Sequence, residues 1–350
     1  MNLPPIDVVI SADVEFSVNR ALRVNRRQPI GPEWVYAWDD DGSQGLGFML
    51  DTLERHNLPC TCFVECFNVF HFDDEPMAGV IREILARGHD AQLHLHPVWR
   101  FFQPHLRERL WEDLQPKDTF VTAEPSKLRD WLGEGCKIFK RLSGRDVKAF
   151  RAGNLNVDLG LYTALAAVGV PLASNIGLGV WRPQEDALQV NAGIHRFNGV
   201  VEVPVTTYAR FGANVPASSL SIYGSPVSEM ESVLKQAYAK QVGPIVVLTH
   251  PHEYAEIARM SGPDGYGVRR RRAQQRRLEK LCRYLVAHPD KYRVVTFGES
   301  CDRWMGSRIG GDGVLKASLR GLAVRALENV LLPKLRGDPG PAASADRDYL

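Results

Sequence analysis

No apolar run in this 350-residue chain approaches the roughly 20 residues that a membrane-spanning helix requires, so the sequence offers no span of that kind. Nor does any C-x-x-C pair occur among the six cysteines, which excludes zinc-ribbon and thioredoxin-like motifs. Cys60 and Cys62 lie in an apolar stretch with the look of a buried strand, and reduced core thiols are expected. An excess of one charge sign is also missing: 43 Lys and Arg against 41 Asp and Glu give a net charge of +2. That balance supplies no global attraction for nucleic acid and favours a small or neutral substrate. Met1 to Pro5 shows neither a basic leader segment nor an apolar one, and the expectation is an unexported, cytoplasmic protein.

What is present is an alternation of short β-branched runs with helical stripes. Strands are predicted over residues 6–12, 61–65, 88–97, 147–150, 171–174, 200–205, 244–248 and 293–297. Helices are predicted over 44–56, 75–87, 126–142, 159–168, 227–240 and 269–287. Seven or eight such units predict a parallel α/β sheet or barrel whose chemistry lies at the C-terminal ends of the strands. Residues 17–42 carry Arg20, Arg23, Arg26 and Arg27, then Trp34, Tyr36 and Trp38, without a period. They predict a long ordered loop, with Trp34 and Trp38 placed either to stack on a sugar or to cover the mouth.

The strand ends carry the polar residues. The first delivers Asp13 and Glu15, which share a face if extended geometry persists, so that one can hold a metal while the other acts on its water. The alternative is a pair of solvated loop or capping carboxylates. In Gly88-His89-Asp90-Ala91-Gln92-Leu93-His94-Leu95-His96-Pro97, His94 and His96 stand at i and i+2 and can close on one ion. A catalytic zinc usually takes three protein ligands, so a carboxylate must come from elsewhere; otherwise the two histidines simply meet solvent or a backbone carbonyl. His89 falls on the opposite face, where packing is expected. Arg151 ends the fourth strand, Glu202 lies on a later one and is expected to face the mouth, and His250 and His252 follow 244–248.

These four strand ends resemble the polysaccharide deacetylases, metal-dependent carbohydrate esterases, over roughly residues 5–300. The resemblance is carried by Ala12-Asp13-Val14-Glu15, by Gly88 to His96, by Phe150-Arg151-Ala152-Gly153 and by Leu248-Thr249-His250. It implies an irregular barrel of the (β/α)7 type. It also implies Asp13 as base, with Glu15, His94 and His96 as ligands of one divalent metal, zinc first and cobalt, nickel or manganese as alternatives; the roles of Asp13 and Glu15 can be exchanged. By the same resemblance His250 is the acid and Arg151 orients a carboxylate; His252 either supports His250 or meets solvent, and Trp34, Trp38, His252 and Glu202 are the candidate substrate-binding residues. The chain departs from the family pattern in three places: Asp-x-Glu replaces adjacent aspartates, Val98 stands where a histidine four residues after His94 is usual, and Gly153 stands where a proline is usual.

The implied activity is removal of an acyl group from an N-acylated amino sugar, oligosaccharide or lipid-linked sugar. Hydrolysis of a non-sugar amide and a non-catalytic carbohydrate- or lipid-binding module with a decayed metal site are the alternatives. The organisation expected is a barrel over 1–300, an amphipathic helical extension over 301–336 and a disordered tail over 337–350. Residues 314–335 carry Lys316, Arg320, Arg325 and Lys334 against Glu328, a basic amphipathic pattern that either packs on the barrel or touches the inner membrane face. The basic run Arg269 to Arg272 is expected at the start of a solvated helix or as an anion contact. No nucleic-acid or protein partner is expected.

Overall fold

The computed structural model describes residues 3–22, 27–107, 117–210, 212, 216–259 and 266–318. Nine strands form the main sheet: β1 (Ile6–Val14), β2 (Thr61–Glu65), β3 (Asp90–Leu95), β4 (Ala149–Ala152), β5 (Leu172–Ala173), β6 (His195–Phe197), β7 (Val200–Glu202), β8 (Ile245–Thr249) and β9 (Tyr292–Val294). Their order is β8-β1-β2-β3-β4-β5-β7-β6, with β9 beside the first half of β1. Every pairing is parallel except the β6–β7 hairpin. The segment after β7 closes the ring. Val203 and Val205 donate to Ala173 and Ile176 on one side, and Thr206 donates to Val246 of β8 on the other, at 3.1 Å. Seven of the eight parallel strands, with β9 set beside the first half of β1, therefore form the wall expected of a (β/α)7 barrel.

The period-2 alternation of β1 explains both cores. Val8, Ile10, Ala12 and Val14 join the layer between sheet and helices, whereas Val9 joins Phe63, Ala149, Leu172, Val201 and Val246 inside the barrel. Ser11 and Asp13 share the inward side with Val9, so one strand face runs from apolar filling to polar mouth. The outer layer consists of α1 (Leu46–Arg55), α2 (Glu75–Ala86), α3 (Pro125–Ser143), α4 (Leu159–Ala167), α5 (Val227–Lys240) and α6 (Arg272–Val286). The six cysteines are free.

Three expectations are corrected. The strand expected over 293–297 ends at Val294. Thr296 then caps a further helix, α7 (Phe297–Met305), reciprocally with Glu299, the pattern of a capping box that the sequence carried openly. Phe297, Cys301 and Trp304 of α7 plug the inner core, and Trp304 Nε1 donates to Asp7 at 3.1 Å. The chain past residue 300 thus belongs to the barrel body at least this far. Arg269 and Arg270 lie in a hairpin strand, Tyr266–Arg270, paired with Ala255–Arg259, because cross-strand pairing there competes with helix extension. Leu315–Lys316, expected in a helix, is a strand beside Thr207–Ala209, where Leu315 is buried; the remainder of that expected helix from 319 on, and the tail, lie outside the described residues. The long loop also holds a short helix, Pro32–Tyr36, and a hairpin of Trp38–Asp39 with Gly42–Ser43, while Arg23 and Arg26 lie outside the described residues. No described helix is long and apolar enough to cross a membrane.

Candidate metal centre

Parallel register delivers the site. Ala12 pairs with Thr249, which sets Asp13 beside His250; Glu65 pairs with His94, and His94 with Arg151. His96 and His250 each follow a strand by one residue and precede a proline. Both keep extended backbones, φ −112° and −137°, because a following proline disfavours the helical region. The strand's alternation therefore continues one residue past Leu95, and His96 stays on the face of His94.

Glu15, His94 and His96 converge: their ligand atoms lie within 4.8 Å of one another. Glu15 Oε2 is 2.7 Å from His96 Nε2 and 3.4 Å from His94 Nε2. On the far side of each ring, Nδ1 is committed as a donor. His94 Nδ1 donates to the Arg151 carbonyl at 2.8 Å, and His96 Nδ1 donates to the Asp118 carboxylate. Since a carbonyl oxygen only accepts, the His94 proton is on Nδ1, leaving the Nε2 lone pair directed at Glu15. Burial works against a charged His96, but Asp118 and Glu15 raise its pKa well above the usual value, so without a cation its Nε2–H donates to Glu15. A cation displacing that proton would meet two Nε2 atoms and a carboxylate oxygen, a donor set suited to zinc, so the residues fit the metal that the resemblance implies. Burial opposes ionisation of Glu15, but His96 and His94 outweigh it and hold its carboxyl well below the usual range.

Beside this trio, Asp13 belongs to a second set. Its Oδ1 accepts from Arg151 Nη1 at 2.6 Å, and its Oδ2 is 3.8 Å from His250 Nε2. Arg151 is fully buried over Phe63, its guanidinium 4.1 Å from the ring centroid, and it donates also to Ser11 Oγ, Ser174 Oγ and the Ser174 carbonyl. His250 Nδ1 donates to Glu253 at 3.0 Å, while the other Glu253 oxygen accepts from the His250 amide and from Thr249 Oγ1. Burial works against the imidazolium, yet Glu253, with Asp13 and Glu15 behind it, raises the His250 pKa to about 9. His252 goes the other way: burial and the charge of His250 push its pKa well below normal, and its ring lies 5.0 Å from His250 and 5.4 Å from Trp34.

The remaining residues named from sequence fall elsewhere. Trp38 is half exposed and stacks on Tyr36 at 4.4 Å. Glu202 does not face the mouth. Val201 fills the barrel, so its neighbour is turned outward, where Glu202 accepts from Tyr162 OH and from the amides of Asn175 and Ile176. His89 is buried against Cys60. Sequence reasoning missed Asp118 and Glu253. Glu253 had a signal, an acidic residue three positions after a helix-capping residue; Asp118 had none, lying 22 residues from His96 beyond an aperiodic excursion.

No family sequence model and no curated protein sequence matches the chain. Among solved structures it is similar to a Mycobacterium smegmatis protein assigned to the polysaccharide deacetylases, at 16% identity and a TM-score of 0.53, over 90% of this chain and 96% of that one. It is similar also to a family 4 acetyl xylan esterase from Clostridium thermocellum in complex with a cobalt ion (14%, TM-score 0.40, 84% and 89%) and to a family 4 carbohydrate esterase from Bacillus anthracis (12%, TM-score 0.37, 87% of each chain). The first likeness establishes the polysaccharide deacetylase fold for this chain; the other two are too loose to support more.

Proposed function

We propose that the protein is a metal-dependent amide hydrolase that removes an acyl group, acetyl in the simplest case, from an N-acylated amino sugar or oligosaccharide. The observation that carries this reading is the convergence of Glu15, His94 and His96 within 4.8 Å, with the Asp13–Arg151 and His250–Glu253 pairs alongside. Glu15, His94 and His96 would hold one divalent cation, zinc first. A cation bound there acidifies water and polarises an acyl carbonyl.

The chain's own groups supply the proton transfers. Asp13, fixed in place by Arg151, takes the proton of the attacking water. His250, charged at neutral pH and aimed by Glu253, donates to the leaving nitrogen as the C–N bond breaks, giving a carboxylate and an amine. Trp34 and His252 form the wall next to His250, and Trp38 offers a half-exposed surface for a sugar ring. With this proposal goes a cytoplasmic location, and a lipid-linked sugar is a substrate to include.

The test pairs metal content of wild type, His94→Ala and His96→Ala with acetate release from N-acetylated oligosaccharides. About one metal per wild-type chain, lost in both variants together with activity, is the expected result. A wild type that takes up no divalent metal after reloading overturns the proposal in favour of a binding module. Metal without acetate release from any sugar points to a non-sugar amide.

A further inference from the structure

The third ligand position is built from parts that fit only one another. His96 Nδ1 donates to Asp118 Oδ2, which also accepts from Asn154 Nδ2 at 2.8 Å, while Asp118 Oδ1 accepts from the backbone N–H of Val98 at 3.1 Å. Asn154 Nδ2 reaches the Asp118 carbonyl as well, at 3.2 Å, and the Asp118 side chain is 3% exposed. The His96 ring occupies the place where a side chain at 153 would stand. A Cβ on Gly153 would lie 2.5 Å from His96 Nδ1 and 2.7 Å from its Cγ, closer than real Cβ contacts come. Val98, whose side chain cannot bind metal, is thus used through its amide.

We propose that Asp118 is the positioning residue for His96, and that Gly153 is the cradle without which an i+2 histidine could not serve as a ligand. This rests on the metal-dependent reading above. Asp118 fixes the proton of His96 on Nδ1 and turns Nε2 toward Glu15; Asn154 and the Val98 amide hold Asp118 in turn. Two of the three departures from the family pattern, the histidine at 96 with Val98 in the usual ligand position and the glycine at 153, then form one substitution of one support by another.

The test measures zinc affinity of the full chain by competition with a chromophoric chelator, for wild type, Asp118→Ala, Asp118→Asn and Gly153→Ala, beside the thermal midpoint of each metal-free protein. Loss of an outer hydrogen-bond partner of a metal-binding histidine typically weakens affinity about 10- to 100-fold, and that range is expected for Asp118→Ala. Asp118→Asn keeps an acceptor for Nδ1–H and is expected to recover most of the loss, which a merely structural role of the charge would not do. Gly153→Ala, which displaces the ring, is expected to fall at or beyond Asp118→Ala. If wild type binds zinc and Asp118→Ala binds it equally tightly with an unchanged midpoint, this inference alone is wrong. If Asp118→Asn loses as much as Asp118→Ala, the tautomer role is overturned. A wild type that binds no zinc overturns both this inference and the metal-dependent reading.

Discussion

Arg151→Met tests the electrostatic frame of the site most directly. The substitution retains an unbranched apolar stem but removes a guanidinium that is 0% exposed from an Asp13 side chain that is 7% exposed. At an N–O distance of 2.6 Å the charge centres lie roughly 4 Å apart, and at an effective dielectric of about 20 their attraction is about 4 kcal/mol. Removing one partner of a buried pair typically costs about 3–5 kcal/mol, because the other is left buried without its counter-charge. The Ser11 and Ser174 hydroxyls and the Ser174 carbonyl lose a donor as well. The assay is urea unfolding of chelator-treated protein, for Arg151→Met, Asp13→Asn and the double variant. Each single variant is expected to lose about 3–5 kcal/mol, and the double variant less than their sum by at least about 1.5 kcal/mol, the scale seen for close charge pairs. Additivity within about 0.5 kcal/mol, or a single-variant loss below about 1 kcal/mol, would refute the coupling.

Glu253→Gln removes the largest contribution raising His250, so NMR titration of the metal-free protein is expected to show His250 titrating well below its wild-type value of about 9. The linkage sign follows: the charged His250 stabilises the fold fully below its unfolded pKa of about 6.5 and the contribution fades as pH rises to about 9, so wild type loses stability across that window and Glu253→Gln loses less. Glu202→Ala is expected to destabilise by about 1–3 kcal/mol for each buried donor it orphans, with KM unchanged, because Tyr162, Asn175 and Ile176 bind it from within; a raised KM with intact stability would restore it to the substrate. Trp38→Ala, at a half-exposed ring, is expected to change stability by less than about 1 kcal/mol and to raise KM for oligosaccharides without lowering kcat, which steady-state kinetics on chains of increasing length would check.

The barrel and its polar mouth were legible because the signals are local and periodic. The short β-branched run of β1 marks a buried strand, and the side-chain alternation that turns Val9 into the barrel brings Ser11 and Asp13 inward. His94 and His96 read correctly as one face since Pro97 holds the backbone of His96 extended. Glu202 misled because its strand has apolar residues on both faces, which hides the parity that sends it outward. Asp118 was invisible because its role is a tertiary contact between His96 and Asn154 with no sequence spacing to announce it. Arg269 and Arg270 continue the polar pattern of α6 without a break, so only the pairing of their strand with Ala255–Arg259 marks where the helix begins.

The placement of β1 bears on how the chain reaches this state. Its neighbours are β2, close in sequence, and β8 and β9, whose register pairs Val8 with Ile245 and with Val294. At about 5–20 residues per second, the first strand leaves the ribosome roughly 10–50 s before its partner in β8 exists. Through that interval one edge of a largely apolar strand has no mate. Asp13, the base of the proposed reaction, is thus carried on a strand whose pairing is completed by nearly the last part of the barrel to be made, so its place beside Arg151 and His250 is fixed only when the barrel closes.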